Sequence, residues 1–474
     1  MVLQSRHIIL FGFALLFGVL FMGATLGTTK GMQAGDPVIT YQLSGQITGV
    51  TTLTIQEAIS LAQSRNARLL VIELSTTGGE LGAVSQIMQL IATAPVPVMI
   101  YVPAAAQAIS GGTFMLTAAH IAAMGPTARI GSCQPIIGLF PVIDPVYLDA
   151  LVDLLTYHAQ LRERNVTTAT QFILQNLNLG TVDATNFGSV ELIADSLPDL
   201  LVTLESYSLV RRDHELGPST FTILPTANLG SYNYSEVLQD FTGVSSATRV
   251  VYSPNAGLTV LAFLAHPIIS FILLQVGIWG FIFALNAPGH AGEVISIICI
   301  VLALVGLGII GISMAGVVLM ILGMVMLIIE AKTDVGFSGL AGVIGIACFV
   351  LGGIFFLPPS QWLIPTQVMW LFQGVAACTA LIFSALFGYA IYKAAAARHL
   401  ISDFDPKKIP GSRGIAETNL DPEGRVRALG ESWMAVVEKG IIKAGESIEV
   451  VRLDGIRLVV KKLEPPDEYA DIDS

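Results

Sequence analysis

Apolar runs too long for a water-soluble fold recur along this chain, and they fix its setting before any motif is considered. A bilayer core of about 30 Å is crossed by roughly 20 residues of helix. The first run of that length is Ile8–Leu26, with Arg6 ahead of it. Further spans are expected at Ala262–Leu285, Glu293–Ile310, Ala315–Ile329, Leu340–Leu357 and Val368–Tyr392. The Gly311–Met314 segment leaves so little chain between Ile310 and Ala315 that those two spans are expected to form a tight antiparallel hairpin. Glycines recur there at Gly306, Gly308, Gly311, Gly316 and Gly323, where small residues let membrane helices approach closely. Charged residues make up 12% of the 474 and hydrophobic ones 53%, against about 25% charged in soluble domains.

Lys and Arg set the expected orientation. With the N-terminus inside, Arg6, Lys332 and the cluster Lys393, Arg398, Lys407 and Lys408 fall on the cytoplasmic side, and Lys30 is the contrary charge. The opposite loops, around Ile312 and over Pro358–Gln367, carry no Lys or Arg. The expected organisation is therefore a plasma-membrane, multi-pass protein. Residues 1–30 form an anchor or a signal peptide, of which the uncleaved anchor is preferred. Residues 31–256 are extracytoplasmic, 257–394 a five-helix membrane region, 395–411 a linker, 412–464 a cytoplasmic domain and 465–474 an acidic tail. Cys133, Cys299, Cys348 and Cys378 show no disulfide framework or metal-site spacing, and no motif calls for a cofactor.

The extracytoplasmic segment alternates short apolar runs with helical patterns. Val38–Ile47, Arg68–Leu74 and Val96–Val102 read as strands, while Thr54–Arg65 and Leu81–Ala92 read as helices. Such alternation indicates βαβ units in a layered α/β domain. Two glycine-bearing junctions follow strands, Ser75–Gly79 and Ala108–Thr113. A serine at a strand-to-helix turn backed by glycines can act as a nucleophile beside backbone N–H groups that stabilise an oxyanion. A serine at a helix start can equally be an ordinary cap.

The run Ala108–Pro135 resembles the Clp-protease-like membrane-bound serine proteases of the long-form NfeD family. The resemblance places Ser110 at the nucleophile position and Gly78, Gly79 and Gly111 at the oxyanion-hole positions. It continues through Arg164–Thr168 and Phe172–Ala194, and implies a Clp/crotonase-like α/β fold for residues 36–205. A serine hydroxyl needs a base to take its proton. The family's lysine position falls here on Val146, and there is no lysine between Lys30 and Lys332. Soluble Clp proteases use a histidine in H-Q-P, where this chain has Cys133-Gln134-Pro135. Of the other outer histidines, His120 matches a structural position at the end of the nucleophile helix. His158 lies twelve residues beyond Val146 on the helix expected over Tyr147–Glu163, roughly 18 Å along it at about 1.5 Å per residue. His214 is expected in a solvated turn, and Cys133 as an inert buried thiol.

After the last span, short strand-like runs punctuated by Gly430, Gly440, Gly445 and Gly455 suit a small all-β OB-like barrel. The pattern from Gly414-Ile-Ala-Glu417 to Asp454-Gly455 resembles the NfeD C-terminal domain, with Trp433 read as a core residue. Residues 421–474 hold twelve acidic and eight basic side chains, and the whole chain carries a net charge of −11, a poor footing for nucleic acid. The resemblance implies a stomatin- or flotillin-like membrane partner, contact with membrane lipids and a homo-oligomer. Two functions compete: a scaffold for such partners with lost or altered peptidase activity, and an active serine endopeptidase cleaving apolar segments with an unidentified base. A transporter is disfavoured, because the ionisable residues His266, His290, Glu293 and Glu330 lie near span ends rather than along a path.

Overall fold

The computed structural model describes residues 37–137, 140–215, 217–284, 290–332, 340–358, 361–401 and 409–463. The expected first span, residues 402–408 of the linker and the acidic tail lie outside the described residues. The chain divides into two compact units, Met1–Ala385 and Leu386–Ser474.

The first unit opens with an α/β domain. Its early elements are β1 (Val38–Ser44), α1 (Gly49–Ser64), β2 (Leu69–Ser75), β3 (Gly79–Glu80), α2 (Leu81–Ala92) and β4 (Val98–Val102). They are followed by β5 (Gln107–Ile109), α3 (Gly111–Ala118), β6 (Ile121–Met124), β7 (Arg129–Gly131), α4 (Pro145–Leu161), α5 (Val166–Leu174), β8 (Asn178–Gly180), β9 (Leu192–Ile193) and α6 (Leu197–Leu204). A hairpin region, β10 (Tyr207–His214), β11 (Gly217–Pro225) and β12 (Glu236–Asp240), precedes β13 (Arg249–Val251).

The main sheet runs β9-β6-β4-β2-β1-β13, every pair parallel. A parallel sheet covered on both faces needs strands that are apolar at consecutive positions. The runs Leu69–Ile72 and Val98–Val102 meet that need. Alternate residues divide between two cores: Leu70, Ile72, Val98 and Ile100 pack on one side with α1, α2 and α3. Leu69, Val71, Met99 and Tyr101 pack on the other with Leu200 and Leu204 of α6 and Leu209 of β10. A smaller sheet, β8-β7-β5, lies beside α3 and positions its N-terminus.

The α4 helix starts two residues earlier than the pattern indicates. Asp144 caps it by accepting from the Val146 amide, and Pro145 occupies the first helical position, where its missing N–H and fixed φ are an advantage. Residues 217–257, the part least like the family by sequence, supply β11 and β12 of the antiparallel sheet β11-β10-β12 and the edge strand β13.

The membrane region follows as α7 (Ala256–Leu264), α8 (Pro267–Ala284), α9 (Ala291–Ile310), α10 (Met314–Lys332), α11 (Leu340–Ile354), a short strand β14 (Trp362–Leu363) and α12 (Thr366–Ile401). Three described helical segments are long and apolar enough to cross a membrane: Pro267–Ala284, Ala291–Ile310 and Val368–Leu386. Met314–Leu327 and Leu340–Ile354 are shorter apolar stretches. The glycines differ in role. A Cβ on Gly306 would meet the Leu264 carbonyl and Ser270 Oγ, and one on Gly323 would lie 2.7 Å from the Gly345 oxygen, whereas Gly308 has open space around it.

The second unit ends in a closed five-stranded barrel: β15 (Arg413–Ala416), β16 (Glu423–Ala428), β17 (Glu431–Val437), β18 (Ser447–Asp454) and β19 (Arg457–Lys462). Val426, Ala435, Ile448, Val450, Leu458 and Val460 fill its interior, with Trp433 packed against them. Closure leaves no free strand edge, which removes a route to aggregation.

Candidate active site

Ser110 stands between β5 and α3 with φ 55° and ψ −119°. This is a sparsely populated region for a residue with a Cβ, of the kind that persists where the surroundings over-determine it. Here the constraint is visible: the Ser110 amide donates to the Gly131 carbonyl at 2.7 Å, and its own carbonyl accepts from the Thr113 amide at 2.9 Å. Thr113 Oγ1 donates to the Ala108 carbonyl at 2.8 Å and accepts from the Gly131 amide at 2.7 Å, locking β5 to β7 beneath the turn. The Ser110 side chain does not cap α3, so the ordinary cap role is not the one it plays.

The glycines that the sequence singles out gather at this turn. A Cβ on Gly111 would sit 3.3 Å from the Gly79 nitrogen, and one on Gly78 would sit 3.1 Å from the Gly111 nitrogen. Gly78 has φ +104°, in the region that favours glycine. Its amide donates to Thr76 Oγ1 at 3.0 Å. The Gly79 and Gly111 nitrogens therefore lie close together at the turn that carries Ser110.

No hydrogen bond joins the Ser110 hydroxyl to any group among the described residues. Val146 lies in the first turn of α4 with its side chain 79% exposed. His120 Nδ1 accepts from the Val98 amide at 3.3 Å; burial, then Arg162 and Arg164, hold this ring well below the usual histidine range. His158 is buried, its Nδ1 has no hydrogen-bond partner among the described residues, and burial lowers it to about 4. His214 lies at the end of β10, not in a turn, and its Nε2 meets Thr220 Oγ1 at 3.1 Å. Cys133 is fully buried, with Sγ 3.6 Å from the Ser110 carbonyl oxygen, and burial pushes its thiol up to about 12. A thiol held in that state supplies no thiolate near neutral pH.

The far end of α3 is fixed by buried arginines. Arg164 Nη1 donates to the carbonyls of Leu116 and Thr117, while Nε and Nη2 form a two-pronged pair with Glu191 at 2.6 and 2.8 Å. Arg162 Nε donates to the Ala118 carbonyl at 3.0 Å.

Two features of the site escape the sequence reading. Glu80, directly after Gly79, is half-buried, and burial raises its carboxyl above the usual range. More unexpectedly, β14, from the loop between two membrane helices, pairs antiparallel with β3: Trp362 opposite Glu80 and Leu363 opposite Gly79. A signal for the second was present in the sequence, since Trp362-Leu363-Ile364 is an apolar run inside a loop.

The NfeD1b N-terminal domain matches residues 43–201, the NfeD integral membrane domain 268–393, and the NfeD-like C-terminal, partner-binding domain 407–462. The membrane-bound protease PH1510 of Pyrococcus horikoshii is 30% identical over 437 residues, spanning 90% of this chain and 93% of that protein. Among solved structures, 1510-N, a membrane protease specific for a stomatin homolog from Pyrococcus horikoshii, is 27% identical, covering 48% of this chain and 98% of its own with a TM-score of 0.37. The C-terminal domain of the stomatin operon partner protein 1510-C, from the same organism, is 32% identical, covering 13% of this chain and 98% of its own with a TM-score of 0.13. Matched through three successive domains and nearly end to end with one relative, the chain belongs to the NfeD family of membrane proteins.

Proposed function

We propose that this chain is a membrane-anchored, Clp-like serine-protease homologue that binds a stomatin- or flotillin-like partner as a scaffold, with its ordinary peptidase activity lost or altered. One observation carries the reading: Ser110 is strained into a nucleophile's geometry beside two oxyanion-type amides, yet its hydroxyl has no base within hydrogen-bond reach among the described residues. Without proton removal the hydroxyl is a poor nucleophile. Ser110, Gly79 and Gly111, with Gly78 holding the turn, then form the floor of a peptide cleft. The domain carrying this cleft faces away from the cytoplasm, the barrel lies in the cytoplasm, and the chain works as a homo-oligomer among membrane lipids. Four of the barrel's basic residues, Arg427, Arg457, Lys461 and Lys462, are each held by a glutamate, which supports protein rather than nucleic-acid contact.

A second reading, an active endopeptidase cleaving apolar segments of such partners, is favoured by the strained Ser110 backbone, which a pure scaffold has no need to keep. The test is labelling of the intact chain in detergent with a serine-reactive fluorophosphonate, alongside incubation with apolar peptides. The scaffold reading expects neither labelling nor cleavage above a Ser110→Ala control. Labelling or cleavage that depends on Ser110 overturns it in favour of the peptidase. For topology, a membrane-impermeant maleimide on intact cells should reach a cysteine at Ser219 and miss one at Ser432.

A further inference from the structure

We propose that Trp362–Leu363, on the loop between the membrane helices α11 and α12, is a built-in occupant of the peptide cleft that an incoming apolar strand must displace. The inference rests on the reading of the Ser110 cleft as a peptide-binding site, and not on whether that site hydrolyses anything. Strand β3 has two edges. One is taken inside the domain, where Glu80 donates to the Ile47 carbonyl at 2.8 Å and Ile47 donates to the Gly78 carbonyl at 2.9 Å. The other is the edge on which an extended peptide can add as a further strand, and β14 occupies it. The occupant reaches the reactive groups. A Cβ on Gly78 would collide with the Leu363 carbonyl oxygen, and the Gly111 nitrogen lies 3.1 Å from that same point. A backbone carbonyl of the loop is thus presented where the two amides converge, as a bound substrate's carbonyl would be.

The side chains say what kind of peptide fits. Leu363 is 1% exposed and joins the apolar core of the α/β domain; Trp362 and Ile364 are equally buried. Ser110 beneath them is also 1% exposed. The cleft therefore accepts an extended apolar segment with a leucine-sized residue opposite Gly79. The occupant is tethered at both ends: the Phe356 carbonyl accepts from the Ser313 amide at 2.8 Å, and Pro365 leads directly into α12, with its carbonyl accepting from Met369 at 3.2 Å. A tethered strand competes at a high effective concentration, so a free peptide of moderate affinity is excluded while the loop is seated. The fit is imperfect, because the buried Trp362 Nε1 has no acceptor among the described residues. An occupant bound short of full satisfaction can be exchanged, and its release is coupled to the packing of α11 and α12.

Two measurements on the intact chain in nanodiscs test this. In a Glu80→Cys/Trp362→Cys variant, mild oxidation should join the two positions, and the apolar hexapeptide of sequence Gln361–Thr366 should slow the joining. Failure to join shows that β14 does not sit on β3, and overturns the proposal whatever the site does chemically. Separately, Leu363→Asp should bind the fluorescein-labelled hexapeptide at least ten-fold tighter than the unmodified chain. Equal binding by both, or joining that the peptide leaves unchanged, means that the loop is a permanent wall rather than a displaceable occupant, and also overturns the proposal. If Leu363→Asp gains Ser110-dependent fluorophosphonate labelling that the unmodified chain lacks, the occupancy stands while the scaffold reading falls.

Discussion

At the scale of single residues, the site is held by positions where one added methyl group has nowhere to go. A Cβ on Gly79 would overlap the Ile47 carbonyl oxygen and lie 2.6 Å from two further Ile47 backbone atoms. Backbone cannot yield as a flexible side chain can, so Gly79→Ala is expected to destabilise the chain by about 3 kcal/mol. Gly180→Ala, with open space around its Cβ, should stay within about 0.5 kcal/mol. Denaturant titration of both in detergent checks the contrast, and equal midpoints would contradict the geometry.

His158 gives a second residue-scale expectation. Burial lowers its ring from 6.5 to about 4, so the unfolded chain takes up a proton that the folded chain refuses. Its contribution is complete above pH 6.5 and is lost progressively as pH falls towards 4. The thermal midpoint should decline over that window, and His158→Asn should flatten part of the decline, with the buried His120 among the groups that carry the rest. An unchanged slope in the variant would remove His158 from the account.

Ser110 and its glycines stood out in the sequence only through the family resemblance of Ala108–Pro135, because a serine at a helix start is by itself as well explained as a cap. The burial of His158 and the hold of Thr76 on Gly78 did not, since each depends on partners that only the folded chain assembles.

At the scale of elements, α3 is the piece whose placement matters most, and both its ends are pinned. Its N-terminus is set by the β5–β7 pairing, its C-terminus by Arg164 reaching two carbonyls and Glu191. Arg164 is 3% and Glu191 20% exposed at the side chain. Removing one partner of a largely buried, hydrogen-bonded pair costs about 3–5 kcal/mol. Arg164→Ala should therefore lose most of the domain's stability, and hydrogen exchange should show α3 opening before the main sheet. Protection retained in α3 would mean that the N-terminal pinning suffices alone. The strand runs of the main sheet were readable because a sheet covered on both faces requires unbroken apolar residues. The β3–β14 pairing was not, because two residues far apart in sequence leave no periodic trace; only the misplaced apolar run Trp362–Ile364 hinted at it.

At the scale of the whole molecule, the division into two compact units carries its own consequence. The barrel closes on itself and has its own interior of Leu420, Val426, Ile448, Val450, Leu458 and Val460. It is small enough that its burial gives only modest stability, but closure and the ion pairs around its surface ask nothing of the other unit. A fragment spanning residues 402–463 should therefore fold alone, with dispersed amide resonances matching those of the same residues in the intact chain. If the barrel is also where a stomatin-like partner docks, this fragment should capture that partner from solution, and a chain ending at residue 401 should fail to. In the shortened chain the Glu80–Trp362 pairing, wholly within the first unit, should still join under oxidation. Capture that survives in the shortened chain while the isolated barrel captures nothing would move the docking surface to the membrane region or the Clp-like domain. The barrel would then be a folded appendage whose role lies elsewhere.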